Sequence, residues 1–279
     1  MNSINCKGKL LSFDIPRVMG IINATPDSFY NHQGGMNDES LHSLVKKMID
    51  DGADILDVGG QSTRPESERI SAEAEMERVI PIIEKICQWF PEALISIDTY
   101  QSQVAESAVN AGASIVNDIS GGLMDEDMLS TVARLHAPYI CMHMQGTPAT
   151  MQQDPVYDDV VRAVVDFFIE RIDACKNAGI NDIILDPGFG FGKTITHNFQ
   201  LLANLHVFSQ VTGKPVLAGL SRKSTIYKTL GSTADEALNG STVLNTLALE
   251  NGASLLRVHD VKEAGETVLL YLAYKKASR

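Results

Sequence analysis

Cysteine is scarce: the 279-residue chain holds four, Cys6, Cys87, Cys141 and Cys175, spaced by 81, 54 and 34 residues. No C-x-x-C pair exists to ligate zinc or run thiol exchange, so reduced and mostly buried thiols are expected. Long apolar runs are also missing. No stretch of about 18 predominantly apolar residues offers a membrane span. The first sixteen residues (M-N-S-I-N-C-K-G-K-L-L-S-F-D-I-P) lack the roughly 7–15-residue apolar core of a secretory signal. A cytoplasmic location with no membrane partner is the expectation. Positive charge is short as well: 23 Lys plus Arg against 35 Asp plus Glu leave a net charge of −12, the wrong sign for a nucleic-acid or anionic-membrane binder. An anionic small ligand would need a local basic pocket. There is no G-x-G-x-x-G dinucleotide fingerprint, no charge run and no low-complexity linker.

With 44% hydrophobic and 21% charged residues, what is present is an ordinary globular composition. Its length fits two average domains or one α/β barrel of about 250 residues. An internal quasi-repeat favours the barrel. Gly52-Ala53-Asp54-Ile55-Leu56-Asp57, Gly112-Ala113-Ser114-Ile115-Val116-Asn117 and Gly252-Ala253-Ser254-Leu255-Leu256-Arg257 share one template, and Gly179 to Asp186 is a looser copy. Each reads as a helix end, a glycine stop, a short β-branched strand buried on both faces, then a polar residue.

Four more apolar runs behave alike: Val18 to Ile22, Leu94 to Ile97, Tyr139 to Met142 and Val216 to Leu220. Helices are predicted at about 38–51, 71–90, 100–111, 125–135, 156–178, 197–210, 236–251 and 260–277, with T-x-x-E (Thr233, Glu236) and D-x-x-E (Asp260, Glu263) as capping boxes. Eightfold strand–helix alternation without a dinucleotide fingerprint fits a closed (β/α)₈ TIM barrel, a single domain over 1–279, better than a doubly wound sheet. The patternless stretches 24–37, 60–70, 143–155 and 187–196 all follow strands, so they emerge at the C-terminal face, where such barrels place their active sites.

The polar residues at the strand ends are Asn23, Asp57, Asp98, Asn117, His143, Asp186, Ser221 with Lys223, and Arg257 with His259. They are expected to converge. Any one of them has a bland reading: a helix cap for Asp57 or Asp98, a hydrogen-bonded core residue for His143, a turn for Asn117, a barrel carboxylate's partner for Arg257. Together they describe two halves. Ser221-Arg222-Lys223 and Arg257-Val258-His259 bring cations where such barrels bind phosphate. Asp98, Asn117 and Asp186 offer acceptors to a ring edge rich in N–H donors. The ligand so described has an anion at one end and a nitrogen-rich ring at the other. Two loops, around Thr25 to Gly35 and Gly59 to Pro65, look built to fold over it, their donors collecting an anion. The glycine-rich turn Gly188 to Gly192 reads either as a close backbone approach or as a tight turn.

The segments M-G-I-I-N-A-T-P-D-S-F, D-I-L-D-V-G-G-Q-S-T-R-P, I-S-I-D-T, I-V-N-D-I-S-G-G, M-H-M-Q-G-T-P, I-I-L-D-P-G-F-G-F-G-K-T, L-A-G-L-S-R-K-S and L-R-V-H-D-V, in order from residue 19 to 261, resemble the dihydropteroate synthases. That resemblance implies a (β/α)₈ transferase of folate synthesis. Such an enzyme condenses 4-aminobenzoate with (7,8-dihydropterin-6-yl)methyl diphosphate, releasing diphosphate with help from Mg²⁺. Separately, the last helix reads Val268-Leu269-Leu270-Tyr271-Leu272-Ala273-Tyr274, apolar nearly all round, where an outer barrel helix needs only one apolar stripe; a homodimer through it is expected, the other reading being cover by the N-terminal segment.

Carried residue by residue, the resemblance implies Asn23 at the metal and, with Thr63, Arg64, Arg257 and His259, at the diphosphate. It puts Asp98, Asn117, Ile119, Met142, Asp186, Phe191, Gly219 and Lys223 around the pterin. Phe29, Ser62, Thr63, Arg64, Pro65, Lys223 and Ser224 fall around 4-aminobenzoate, and Asp27, Asp98, Lys223, Arg257 and His259 carry the chemistry. Glu66 stands where the family usually has glycine, and Tyr30 to Gly35 depart from its commoner first loop. The alternatives are a reduced-folate-binding methyltransferase domain, which would need a corrinoid partner, and a non-catalytic pterin-binding paralogue, which would lose the loop residues retained here. An aldolase using Lys223 as a Schiff base is a further reading, which borohydride trapping would separate.

Overall fold

The computed structural model describes residues 3–24, 37–61, 69–147, 150–151 and 155–278. The chain opens with an antiparallel hairpin, β1 (Ser3–Cys6) and β2 (Lys9–Ser12). Strand and helix then alternate: β3 (Arg17–Asn23), α1 (Asp38–Asp50), β4 (Ile55–Gly59), α2 (Ala72–Trp89), β5 (Leu94–Asp98) and α3 (Ser102–Ala111). They continue through β6 (Ile115–Asp118), α4 (Met128–Leu135), β7 (Tyr139–Met142), α5 (Val160–Ala178) and β8 (Ile183–Asp186). The last part comprises α6 (Ile195–Ala203), α7 (Leu205–Thr212), β9 (Leu217–Ala218), α8 (Ser224–Leu230), α9 (Leu238–Glu250), β10 (Leu255–Val258) and α10 (Val261–Ala277).

The eight strands β3 to β10 are parallel neighbours in the order β8-β7-β6-β5-β4-β3-β10-β9. β10 joins β3, with Leu255 opposite Arg17 and Val258 opposite Gly20. Between β8 and β9 a single bridge, Leu185 with Val216, nearly closes the ring. The fold is therefore the expected TIM barrel.

Strand periodicity sorts the side chains. Val18, Leu56, Val58, Ile95, Ile97, Val116, Leu185, Leu256 and Val258 face outward into the main core beneath the helices. The inward set starts with Met19, Ile55, Leu94, Ile115, Ile140, Ile184, Leu217 and Leu255 at the strand beginnings, and there Ile4, Cys6, Leu11 and Phe13 of the hairpin and its exit pack against them. The hairpin thus plugs the bottom of the barrel. Two residues further along, the inward positions are Ile21, Asp57, Ser96, Asn117, Met142, Asp186, Gly219 just past β9, and Arg257. The interior changes from apolar to polar halfway up, and the site begins there.

Several local expectations are corrected. The helix expected at 197–210 is two helices meeting at Asn204, and α8 was not foreseen. Neither expected capping box caps a helix. Glu236 Oε2 accepts from Thr233 N and Oγ1 at 3.1 Å each in the turn before α9. Asp260 makes no cap bond and instead receives Arg222 Nε and Nη2 at 2.9 and 2.8 Å. No helix among the described residues is long and apolar enough to cross a membrane.

Candidate active site

Strand β10 carries Arg257 inward, and its guanidinium bridges two carboxylates: Nε donates to Asp57 Oδ2 at 2.6 Å and Nη2 to Asp98 Oδ2 at 2.6 Å. Asp57 is fully buried on β4, Asp98 is 9% exposed at the end of β5, and Asn117 Nδ2 on β6 donates to the same Asp57 oxygen at 3.1 Å. The other Asp57 oxygen is buried without a partner. Burial raises the Asp98 carboxyl, and even with Arg257 beside it its pKa is pushed up to about 7. Burial alone would lower the Arg257 pKa, but Asp57 and Asp98 outweigh it and hold the guanidinium charged. Arg257 does pair with barrel carboxylates, as one reading of the sequence had it. The two bonds use two of its five N–H donors.

Opposite stand Asp186 at the end of β8, which accepts from Gly188 N at 2.7 Å, and Lys223, the residue before α8. Gly219 lies between them: a Cβ there would sit 3.8 Å from Lys223 Nζ and 4.0 Å from Asp186 Oδ2. Lys223 Nζ donates to Phe189 O and lies 4.8 Å from the Phe191 ring centre. Burial first, then Asp186 and Arg257 pulling in opposite directions, leave its pKa lowered to about 8. Burial raises the Asp186 carboxyl, with Lys223 opposing that rise.

A third apolar cluster, separate from the two cores, joins Ile119, Met142 and Tyr100 with Met124, Met144 and Phe191. Ile119, Met142 and Phe191 were expected to line the ring site. The other three come from loops whose approach no strand pattern reveals.

The basic half is less available than the sequence suggested. Arg222 forks onto Asp260 and reaches Ala234 O and Asp235 O, so it ties α8 to α10. His259 Nδ1 is 3.1 Å from Ser221 Oγ, which also accepts the His259 backbone N–H at 3.2 Å. Cover on its ring, then the charge of Arg257, lowers its pKa, so it meets a ligand as a neutral imidazole. His143 does not join the converging set. It is 6% exposed and faces Lys193 and the Phe167 ring, at 2.9 and 4.9 Å. Ser224 opens α8 beside Lys223, and Asn23 is exposed at the top of β3. Asp27, Phe29, Ser62, Thr63, Arg64 and Pro65 lie outside the described residues.

Such a barrel mouth, with an acceptor-lined recess, an apolar face and neighbouring cations, is the kind that pterin binding enzymes present, and a model of that family matches residues 19–259. The chain belongs to the pterin binding enzyme family. The dihydropteroate synthase of Escherichia coli is 46% identical over 267 residues, 94% of this chain and 93% of that protein. A Yersinia pestis dihydropteroate synthase solved with a sulfonamide drug superposes with a TM-score of 0.91 at 38% identity, covering 99% of each chain. The Xanthomonas albilineans enzyme in complex with 7,8-dihydropteroate gives 0.86 at 39%, covering 98% of each chain. Within the family, the activity of this chain is that of dihydropteroate synthase, a transferase of folate biosynthesis.

Proposed function

We propose that the mouth of the barrel holds (7,8-dihydropterin-6-yl)methyl diphosphate and 4-aminobenzoate in a fixed division of labour. The observation that carries this reading is the inward convergence of Asp98, Asn117, Asp186, Lys223 and Arg257 beside the Ile119–Met142–Phe191 face. Asp98, Asn117 and Asp186 supply acceptors to the pterin's N–H edge, Lys223 donates to its ring acceptors, and Ile119, Met142, Phe191 and Gly219 take its faces. Remaining donors of Arg257 and the neutral His259 stabilise the departing diphosphate, with Asn23, Thr63 and Arg64. Phe29, Ser62, Thr63, Arg64, Pro65 and Ser224 enclose 4-aminobenzoate against Lys223, and Asp27 acts from the first loop. Crystals of the Xanthomonas albilineans enzyme with 4-aminobenzoic acid and with 7,8-dihydropteroate support small-molecule substrates of this kind.

As the bond from the pterin methylene to diphosphate breaks, its electron pair leaves on the diphosphate oxygen, where preorganised donors stabilise the developing charge. The carboxylates of Asp98 and Asp186 lower the cost of the positive charge left on the pterin. The aromatic amine then attacks the methylene with its lone pair and sheds one N–H proton to the released diphosphate or to water, so no enzyme nucleophile is needed.

Among the described residues no three His, Cys, Asp or Glu side chains are grouped to hold a metal ion. Mg²⁺ needs no such cage, because it takes one or two protein oxygens and fills its shell with phosphate oxygens and water. The exposed Asn23 amide oxygen fits that demand. Asn23 would hold an ion carried in with the diphosphate, which when bound supplies Lewis-acid stabilisation of the leaving group.

The test is release of diphosphate, expected only when both substrates are present. Absence of release at saturating substrates would overturn the reading. A second test uses pH. The ionised form of Asp98 accepts from the pterin, and it is lost as pH falls through about 7. The ammonium of Lys223 is lost as pH rises through about 8. A plot of kcat/KM for the pterin diphosphate against pH reports free-enzyme groups, and should form a narrow bell with those two limbs. A flat profile between pH 6 and 9 would remove both roles.

A homodimer is proposed through the outer face of α9 and α10. Leu269, Leu270 and Tyr274 are 68%, 73% and 61% exposed beside Val243 and Leu247. A hollow of about 330 Å³ lined by Leu238, Thr242, Thr267 and Leu270 adjoins them. The N-terminal segment does not cover this face, because its hairpin plugs the barrel bottom. Light scattering is expected to give about twice the chain's 30.3 kDa; a monomer at micromolar concentration would refute the dimer.

A further inference from the structure

Lys193 is 3% exposed, more deeply buried than any other Lys or Arg among the described residues. Burying an amine is costly unless its polar atoms find partners, and an apolar side chain would have filled the same space. The position therefore needs the bonds. Lys193 Nζ lies 3.0 Å from Gly188 O, 2.9 Å from Phe191 O, 3.3 Å from His143 O and 2.9 Å from His143 Nδ1. It thus binds carbonyls on both the loop after β7 and the loop after β8.

The two loops touch so closely that side chains would not fit. A Cβ on Gly188 would meet His143 O at 2.0 Å and one on Gly192 would meet Gln145 O at 2.5 Å, with both residues at positive φ. Oxygen faces oxygen across this seam, and the amine lies among them.

The pinned carbonyls bracket the segment that faces the candidate site. Between Gly188 and Phe191 lie Phe189, whose carbonyl accepts from Lys223, and Gly190, whose φ of +82° suits glycine and whose backbone runs alongside the Lys223 stem. Phe191 presents its ring to Lys223 and to Met142 and Ile119. Gly188 N also holds Asp186. Other anchors sit on the rim: Asn198 Oδ1 accepts from Gly190 N at 2.8 Å, and Tyr157 Oη donates to Gly192 O at 2.9 Å.

We propose that Lys193 is a positioning residue for pterin binding: its amine, buried in the seam between the loops after β7 and β8, sets the place of the Phe191 ring and, through Phe189, of the Lys223 ammonium. This rests on the pterin reading of the site. Lys193 itself reaches no substrate and acts only through the loop.

The experiment compares the parent chain with Lys193→Met, which keeps the apolar stem and removes the donors. Pterin affinity by calorimetry and KM for the pterin diphosphate should each worsen by about tenfold or more, the scale of lost buried hydrogen bonds. KM for 4-aminobenzoate, whose site shares only Lys223 with this loop, should worsen less than KM for the pterin diphosphate, and kcat at saturating pterin should fall less than kcat/KM, because the pterin's binding surface is what is loosened. In Lys193→Ala, n-propylamine, which matches the deleted atoms beyond Cβ, should restore pterin affinity. A folded Met variant with pterin affinity within about twofold of the parent, or one that loses both substrates alike, would overturn the proposal, as would failure of the amine to rescue. Should neither variant fold, Tyr157→Phe loosens the same loop by one rim bond and should weaken pterin binding about threefold; unchanged affinity would then count against the proposal. A parent chain that binds no pterin would instead sink the reading of the site.

Discussion

Arg257→Ala should cut turnover by about 10²–10³-fold, the range for removing one preorganised charge stabiliser. The structure adds a second cost. Arg257 is the cation between Asp57 and Asp98, so the variant leaves two buried carboxylates without their counter-charge, a loss of about 3–5 kcal/mol for breaking a buried pair. Protonation relieves that cost. With Arg257 gone, the Asp98 carboxyl, already raised to about 7 by burial, rises further and binds a proton in the folded state that the unfolded chain does not. The destabilisation should therefore be larger at pH 8 than at pH 6. Thermal unfolding at the two pH values, with turnover measured well below the lower midpoint, separates the effects. Turnover within about threefold of the parent, a difference of about 0.7 kcal/mol, would remove Arg257 from the leaving-group role. Arg257→Lys keeps the charge but cannot span both carboxylates, and should recover little activity.

Asp186→Asn should weaken pterin binding by about 1–3 kcal/mol, or about 5–150-fold. An acceptor-only carboxylate becomes an amide with one acceptor and one mismatched donor, and Gly188 N already draws on one of its oxygens. The substitution also has a charge signature. Asp186 supports the ammonium of Lys223 against burial, so its neutralisation should move the alkaline limb of pterin binding below the parent's value of about 8. Calorimetric titration across pH 6 to 9 reads both. Unchanged affinity would refute the assignment, and an unmoved limb would separate Lys223 from Asp186.

The barrel was legible because strand periodicity and helix stops are local properties. Val18, Leu94 and Leu255 begin or lie within short apolar runs that end in a polar residue, and parallel topology carries such ends to one face. The convergence of Asp98, Asn117, Asp186, Lys223 and Arg257 could be read from the sequence for that reason. Partner choice within the set was not legible, because it depends on ångström distances across the ring. Arg222 and Arg257 have similar sequence settings, yet one locks Asp260 on the outer layer and the other bridges Asp57 and Asp98 inside.

His143 ends an apolar run like the other members, but the seam with residues 188–193 turns it toward Lys193. Its signal was available only as a glycine-rich turn followed by a lysine. The hairpin at residues 3–12 was missed because its burial comes from the barrel floor, built by residues far along the chain. The two-residue strand β9 and the break at Asn204 likewise follow from tertiary neighbours.

The pairing of β10 with β3 has a consequence for the order in which the protein is made. Arg257 follows Asp57 by 200 residues and Asp98 by 159. At synthesis rates of about 5–20 residues per second, Asp98 waits roughly 8–30 s for its cation. Until the last strand leaves the ribosome, a closed ring would enclose unmatched negative charge, so the electrostatics of the site oppose premature closure of the sheet. Completing the ladder from Leu255 to Val258 and neutralising the interior are then one event, and the finished barrel and the finished site arrive together.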